Sequence, residues 1–236
     1  MPRIGRRLLG RVPMPHSVDA ALDEALDRAL SIQRRAVTAY VDRQRIRHPH
    51  ASPADVIDLL ERRYRAAVVS IGAASGGAAA VPGVGTAASL ATGVVEISAF
   101  VESTALFTLA VAEVHGMQIS DQETRRALVL TVLLGQSGIA AVESATGTSS
   151  GHWTHALRRG VSRETIGRAN HVLGRHLVTR FGAQQGALLF GRALPLGVGA
   201  GIGAFGNLAL ARSVISTARR TFGPPPEKMP QRVIDA

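Results

Sequence analysis

The sequence predicts an all-α protein, a bundle of about six to eight helices built around two Gly/Ala-rich, Pro-broken helical hairpins. Three observations carry that expectation. Apolar residues recur at the three-to-four spacing of a helix face, and strand-like alternation is nearly absent. Capping signatures stand in front of the periodic segments. Hydrophobic residues make up 46% of the 236 positions but aromatics only 4%. The core must therefore be filled by aliphatic and small side chains, and Ala and Gly at helix contacts let backbones approach closely.

Residues 1–16 carry charge without a useful apolar stretch and are interrupted by Pro13 and Pro15, so they read as a basic flexible arm rather than a secretory signal. A single all-helical domain is expected over 17–222. Ser17 is a candidate N-cap for a first helix, with Val18, Ala21, Leu22, Ala25, Leu26, Ala29, Leu30, Val37 and Val41 on one side. Asp23, Glu24, Asp27, Arg28 and Arg34 take the opposite side. This helix is expected to continue to near His48, before Pro49. Ser52-Pro53-Ala54-Asp55 then reads as a cap, a proline at the first helical position and an acid at the third, opening a second helix through Val56, Ile57, Leu59, Leu60 and Tyr64.

From Ala66 to Val95 there is no charged residue. That length suggests a membrane span, but the run is mostly Ala, Gly, Ser and Thr and is broken by Pro82-Gly83-Val84-Gly85. The half from Ala66 to Val81 would be about 24 Å long, short of a hydrocarbon core of about 30 Å. A helical hairpin fits better, its second arm running from about Thr86 to His115 with Gly116 as the stop. Ser120-Asp121-Gln122-Glu123 reads as a capping box for the next helix, which carries Leu128, Val129, Val132, Leu133 and Ile139, and a loop follows over 146–151. A basic helix is expected from about Arg163 to Arg180. The second hairpin then takes Ala187 to Ala193, a break at Pro195, and a long helix from about Gly197 to Phe222. Residues 223–236 read as a Pro-rich disordered tail.

The turns of the hairpins, Ala80-Val81-Pro82-Gly83-Val84-Gly85 and Ala193-Leu194-Pro195-Leu196-Gly197-Val198-Gly199, echo one another, either through duplication or because helix–Pro–Gly turns recur readily. Gly199, Gly203 and Gly206 fall on one helical face. A glycine inside a helix costs roughly 0.8–1 kcal/mol relative to alanine, so the expected compensation is close backbone packing, with Pro82, Gly83, Gly85 and Pro195 setting the turns. Glu96, Glu102 and Glu113 interrupt one apolar arm, and Arg192 and Arg212 interrupt the other hairpin. These five are candidates for a partly buried charge network between the hairpins, the alternative being that several face solvent.

The strings Pro82–Gly116 and Pro195–Phe222, the second with a glycine-rich run, Asn207 and the ending Arg219-Arg220-Thr221-Phe222, resemble the bacterial EcsC family. The resemblance covers about residues 55–222. It implies an all-helical bacterial protein, often described as membrane-associated, and brings no reaction, cofactor or catalytic residue with it.

The chain has no cysteine, which excludes disulfides and thiolate chemistry and is compatible with a reducing cytoplasm. Gly83-Val84-Gly85-Thr86-Ala87-Ala88 imitates a dinucleotide-binding pattern but lacks the preceding strand. Ala73-Ala74-Ser75-Gly76-Gly77 is likewise no nucleophile elbow. Glu113 and His115 diverge on a helix, and His152, His155, His171 and His176 have no acidic partner nearby in the sequence, so neither a metal nor a cofactor is expected. Catalysis by Glu102 or Glu113 is the least favoured reading.

The net charge of +10 is unevenly spread. Residues 1–65 hold 13 Lys+Arg against 8 Asp+Glu, residues 66–150 hold 2 against 6, and residues 151–236 hold 12 against 3. Arg158, Arg159, Arg163, Arg168, Arg175 and Arg180 crowd one region. Nucleic acid is disfavoured because no interleaved aromatics or DNA-binding module accompany them, whereas anionic lipid suits a basic patch beside an apolar hairpin. The expected function is that of a non-enzymatic protein at the cytoplasmic face of the membrane, peripheral or shallowly inserted, contacting anionic lipid or a membrane complex. The alternative is a soluble bundle that binds an apolar small molecule or lipid between its hairpins. The sequence leaves the oligomeric state open.

Overall fold

The computed structural model describes residues 18–32, 34–79, 86–117, 119, 121–147, 161–191 and 198–230. Among them the chain is all-helical, with eight helices and no strand: α1 Val18–Leu30, α2 Arg34–Arg47, α3 Pro53–Ala79, α4 Thr86–Val114, α5 Gln122–Leu134, α6 Gln136–Thr146, α7 Arg163–Gly191 and α8 Val198–Phe222. One contiguous hydrophobic core draws on all eight, from Leu26 on α1 through Leu60, Phe107 and Leu128 to Leu173 and Val214. α3 lies against both α4 and α8, α1 and α2 cover α4, and α5 joins α4 to the pair α6 and α7.

Local chemistry explains most of the boundaries. Ser52 and Asp55 exchange hydrogen bonds at the start of α3: Ser52 N–H donates to Asp55 Oδ2 at 2.9 Å and Asp55 N–H to Ser52 Oγ at 3.2 Å. Pro53 takes the first helical position, as expected. α4 ends at Val114, Gly116 adopts φ 73°, and Met117 N–H reaches back to the Ala112 carbonyl. Gly147, at φ 68°, closes α6.

Four expectations need correction. The first helix is not continuous to His48, because α1 ends at Leu30 and α2 starts at Arg34. The Ile32 carbonyl, which an unbroken helix would bond internally, instead accepts from the Arg125 guanidinium on α5. The cap of α5 is Asp121, whose side chain accepts from Thr124 N–H at 2.8 Å, one position later than a box beginning at Ser120. The helix it opens breaks at Gly135 (φ 69°) into α5 and α6. The basic helix and the first arm of the second hairpin are one continuous helix, α7. No proline lies between Arg163 and Gly191, and glycine weakens a helix without stopping it.

The beginning of the Pro-rich stretch differs from the disordered tail expected there. Gly223 (φ 76°) terminates α8, Met229 packs on the core, and Pro230 covers Gly116, where an added Cβ would lie 3.0 Å from the proline ring. Residues 231–236, the arm over 1–16 and Ser17 lie outside the described residues.

Candidate functional site

Two features stand out. The first is a cavity of about 490 Å³ at one end of the bundle, enclosed by the start of α3, the end of α4, the end of α8 and residues 223–225. Its buried wall is mostly apolar, with Ile57, Phe107, Val111, Ala218 and Phe222, and also holds Glu61 and His115. Phe107 stacks on Tyr64 at 4.6 Å between centroids, and Phe222 stacks on His115 at 5.3 Å. Burial pushes the Tyr64 phenol above its usual range, partly offset by its hydrogen bond to Thr104 Oγ1 at 2.8 Å.

Charged side chains line the same cavity, with Asp58, Arg219 and Arg220 exposed and Glu61 buried. Glu61 is only 5% exposed and binds Arg219 through both oxygens, at 2.6 Å from Nε and 2.6 Å from Nη2. Asp58 Oδ1 adds a contact to Arg219 Nη2 at 3.2 Å. The Glu61 carboxylate raises the Arg219 guanidinium further above its ordinary value. Arg220 is different: its Nη1 donates to Gln136 Oε1 at 2.5 Å and its Nη2 to Ser216 Oγ at 3.4 Å, both neutral.

The second feature is the outer side of α7. Arg163, Arg168, His171, Arg175 and His176 are exposed there, while Ile166, Ala169, Leu173 and Leu177 enter the core. Glu164 is the only acid on this helix and pairs with Arg168 at 3.0 Å. The side chain of Arg180, and Arg158 and Arg159 altogether, lie outside the described residues.

The proposed charge network is distributed differently. Glu102 lies 3.7 Å from Arg28 on α1, and Glu96 accepts from Asn207 on α8 at 3.4 Å. Glu113 borders a small space beside Arg125. Arg212 is exposed, on the side of α8 away from the buried Ala211 and Ile215, and among the described residues no ion pair joins it to Glu102 or Glu113. Arg192 lies outside the described residues. Among the described residues, the ion pairs that cross from α3 to α8 are Glu61–Arg219 and Asp58–Arg219. The buried acid was detectable, because Glu61 falls on the stripe of Ile57, Leu60 and Tyr64; its partner, far along the chain, was not.

The glycine expectation fares similarly. Pro82, Gly83, Gly85 and Pro195 lie outside the described residues, as do the surroundings of Gly199 and Gly203 on α8. Gly206 is exposed, and a Cβ placed on it would touch nothing, so it makes no close backbone contact. The close approach occurs at Gly138, where a Cβ would collide with the Thr131 carbonyl and meet Leu134 Cβ at 3.0 Å.

α4 contains a stretch, Val95–Val114, long and apolar enough to cross a membrane, with mean hydropathy 1.5 and 61% of it buried inside the bundle. Burial within the core is sufficient reason for that composition. Among the described residues no group of three or more His, Asp or Glu is placed to hold a metal ion. Compared with family models, with curated proteins and with solved structures, the chain finds no match.

Proposed function

We propose that this protein is a non-enzymatic helical protein of the EcsC type that works at the cytoplasmic face of a membrane, held to anionic lipid by the basic outer side of α7. The observation that carries the reading is the one-sidedness of that helix. Arg163, Arg168, His171, Arg175 and His176 face outward with Glu164 as the sole acid of the helix, and Ile166, Ala169, Leu173 and Leu177 enter the core. Such a face is attracted to anionic headgroups and loses that attraction as salt screens it. The likeness of the two glycine-rich strings to a family often described as membrane-associated supports the same setting.

The test is flotation of the full chain with phosphatidylglycerol vesicles and with phosphatidylcholine vesicles, at low and high salt. Binding to the anionic vesicles at low salt, and its loss at high salt, is expected. Each arginine at a surface contributes about 1 kcal/mol, so Arg168→Gln with Arg175→Gln should weaken binding about 30-fold. No binding at low salt, or an unchanged affinity in the double variant, overturns the reading.

A second reading, binding of an apolar small molecule or lipid, is favoured by the cavity between α3, α4 and α8. Its volume of about 490 Å³ falls within the roughly 300–1,000 Å³ typical of small-molecule sites.

A further inference from the structure

We infer that the cavity at the end of the bundle binds a single-chain anionic amphiphile, its apolar chain against Ile57, Phe107, Val111 and Ala218 and its head at Arg220. The inference rests on the second reading above and names its ligand class. The buried wall offers aliphatic and aromatic surface, which suits a hydrocarbon chain. Asp58, Arg219 and Arg220 are exposed while Ile57, Phe107, Val111 and Ala218 are buried, and of the buried polar lining Glu61 is paired with Arg219 and His115 is stacked on Phe222, so the cavity has the polarity of an amphiphile.

The sign of the head follows from which charges are already compensated. Glu61 is buried and neutralised by two hydrogen bonds from Arg219, and Asp58 also leans on Arg219. Among the described residues, Arg220 engages the neutral oxygens of Gln136 and Ser216. Both of these partners are uncharged, whereas Arg219 already meets two carboxylates, so a carboxylate or phosphate head would give Arg220 the stronger, charge-assisted bond. Ala54 brings the start of α3 to the same cavity.

The experiment uses the full chain and three ten-carbon probes, decanoate, decanol and decyltrimethylammonium, titrated by calorimetry or by NMR. Decanoate should bind most tightly. Arg220→Gln should weaken decanoate at least about tenfold while leaving decanol little changed. Ala54→Phe, a change at an exposed position that places a ring in the mouth, should weaken both probes more than about tenfold with the melting temperature retained. Absence of decanoate binding, equal or tighter binding of the cationic probe, or an unaffected Ala54→Phe variant each overturns the proposal. Vesicle flotation of Ala54→Phe is read separately. Retained flotation with lost decanoate binding assigns the cavity and the α7 face to different ligands, so the membrane reading and the cavity reading fail independently.

Discussion

Single residues show where the energy of this fold is concentrated. Glu61 is a carboxylate taken out of water, tolerable because Arg219 supplies two hydrogen bonds to it. Removing the guanidinium leaves a buried charge with no compensation. Arg219→Gln should therefore destabilise the protein by roughly 1–3 kcal/mol, less than for a fully buried pair because the arginine itself faces solvent. Glu61→Gln made in the Arg219→Gln background should recover part of that loss, and a double-mutant cycle by urea denaturation checks it. Glycine gives a paired contrast. Gly138→Ala forces a methyl group into the Thr131 carbonyl and should cost about 1–3 kcal/mol. Gly206→Ala meets open space on a helix and should gain about 0.8–1 kcal/mol, a rise of about 2–4 °C in melting temperature for a chain of this size. A fall for Gly206→Ala would mean that its glycine does pack closely.

At the scale of elements, two caps make stability depend on acid. Hydrogen bonds from Ser52 hold the Asp55 carboxyl below the usual carboxylate range, and hydrogen bonds from Thr124 do the same for Asp121. A depressed carboxyl contributes stability in full above its unfolded value of about 3.9 and loses it as pH falls through the folded value. Melting temperature should thus fall between about pH 5 and about pH 2. Asp121→Asn keeps a capping oxygen but cannot titrate, so it should flatten that dependence; an unchanged acid profile would discount the cap at α5. The elements also show how far local signals reach. The start of α3, the stop at Gly116 and the end of α6 at Gly147 were legible because each is settled by residues within one turn. The break between α1 and α2 was not, since the group that takes the Ile32 carbonyl is Arg125, 93 positions away.

Across the whole molecule, the alternation of basic, acidic and basic thirds becomes a spatial arrangement. The acidic middle, as α4, is largely enclosed: its Glu102 stands by Arg28 of α1 and its Glu96 by Asn207 of α8. Arg163, Arg168 and Arg175 of α7 are left on the outside. A surface of this kind predicts salt-sensitive binding to anionic vesicles, while the cavity at the other feature predicts a preference for an apolar chain with an anionic head. The candidate arginines on α7 were legible from charge crowding. The cavity was not, because its walls come from three helices and a turn that only packing brings together.

Helix content, the arms of the first hairpin, the cap of α3 and the stop at Gly116 were determined by the sequence itself, through apolar period and short-range hydrogen bonding that need no partner beyond the next turn. The tertiary structure alone decided which acid meets which arginine, which glycine is pressed against a neighbour, and where the empty volume lies. Those outcomes depend on the separation and rotation of packed helices, quantities to which every buried side chain in the core contributes at once.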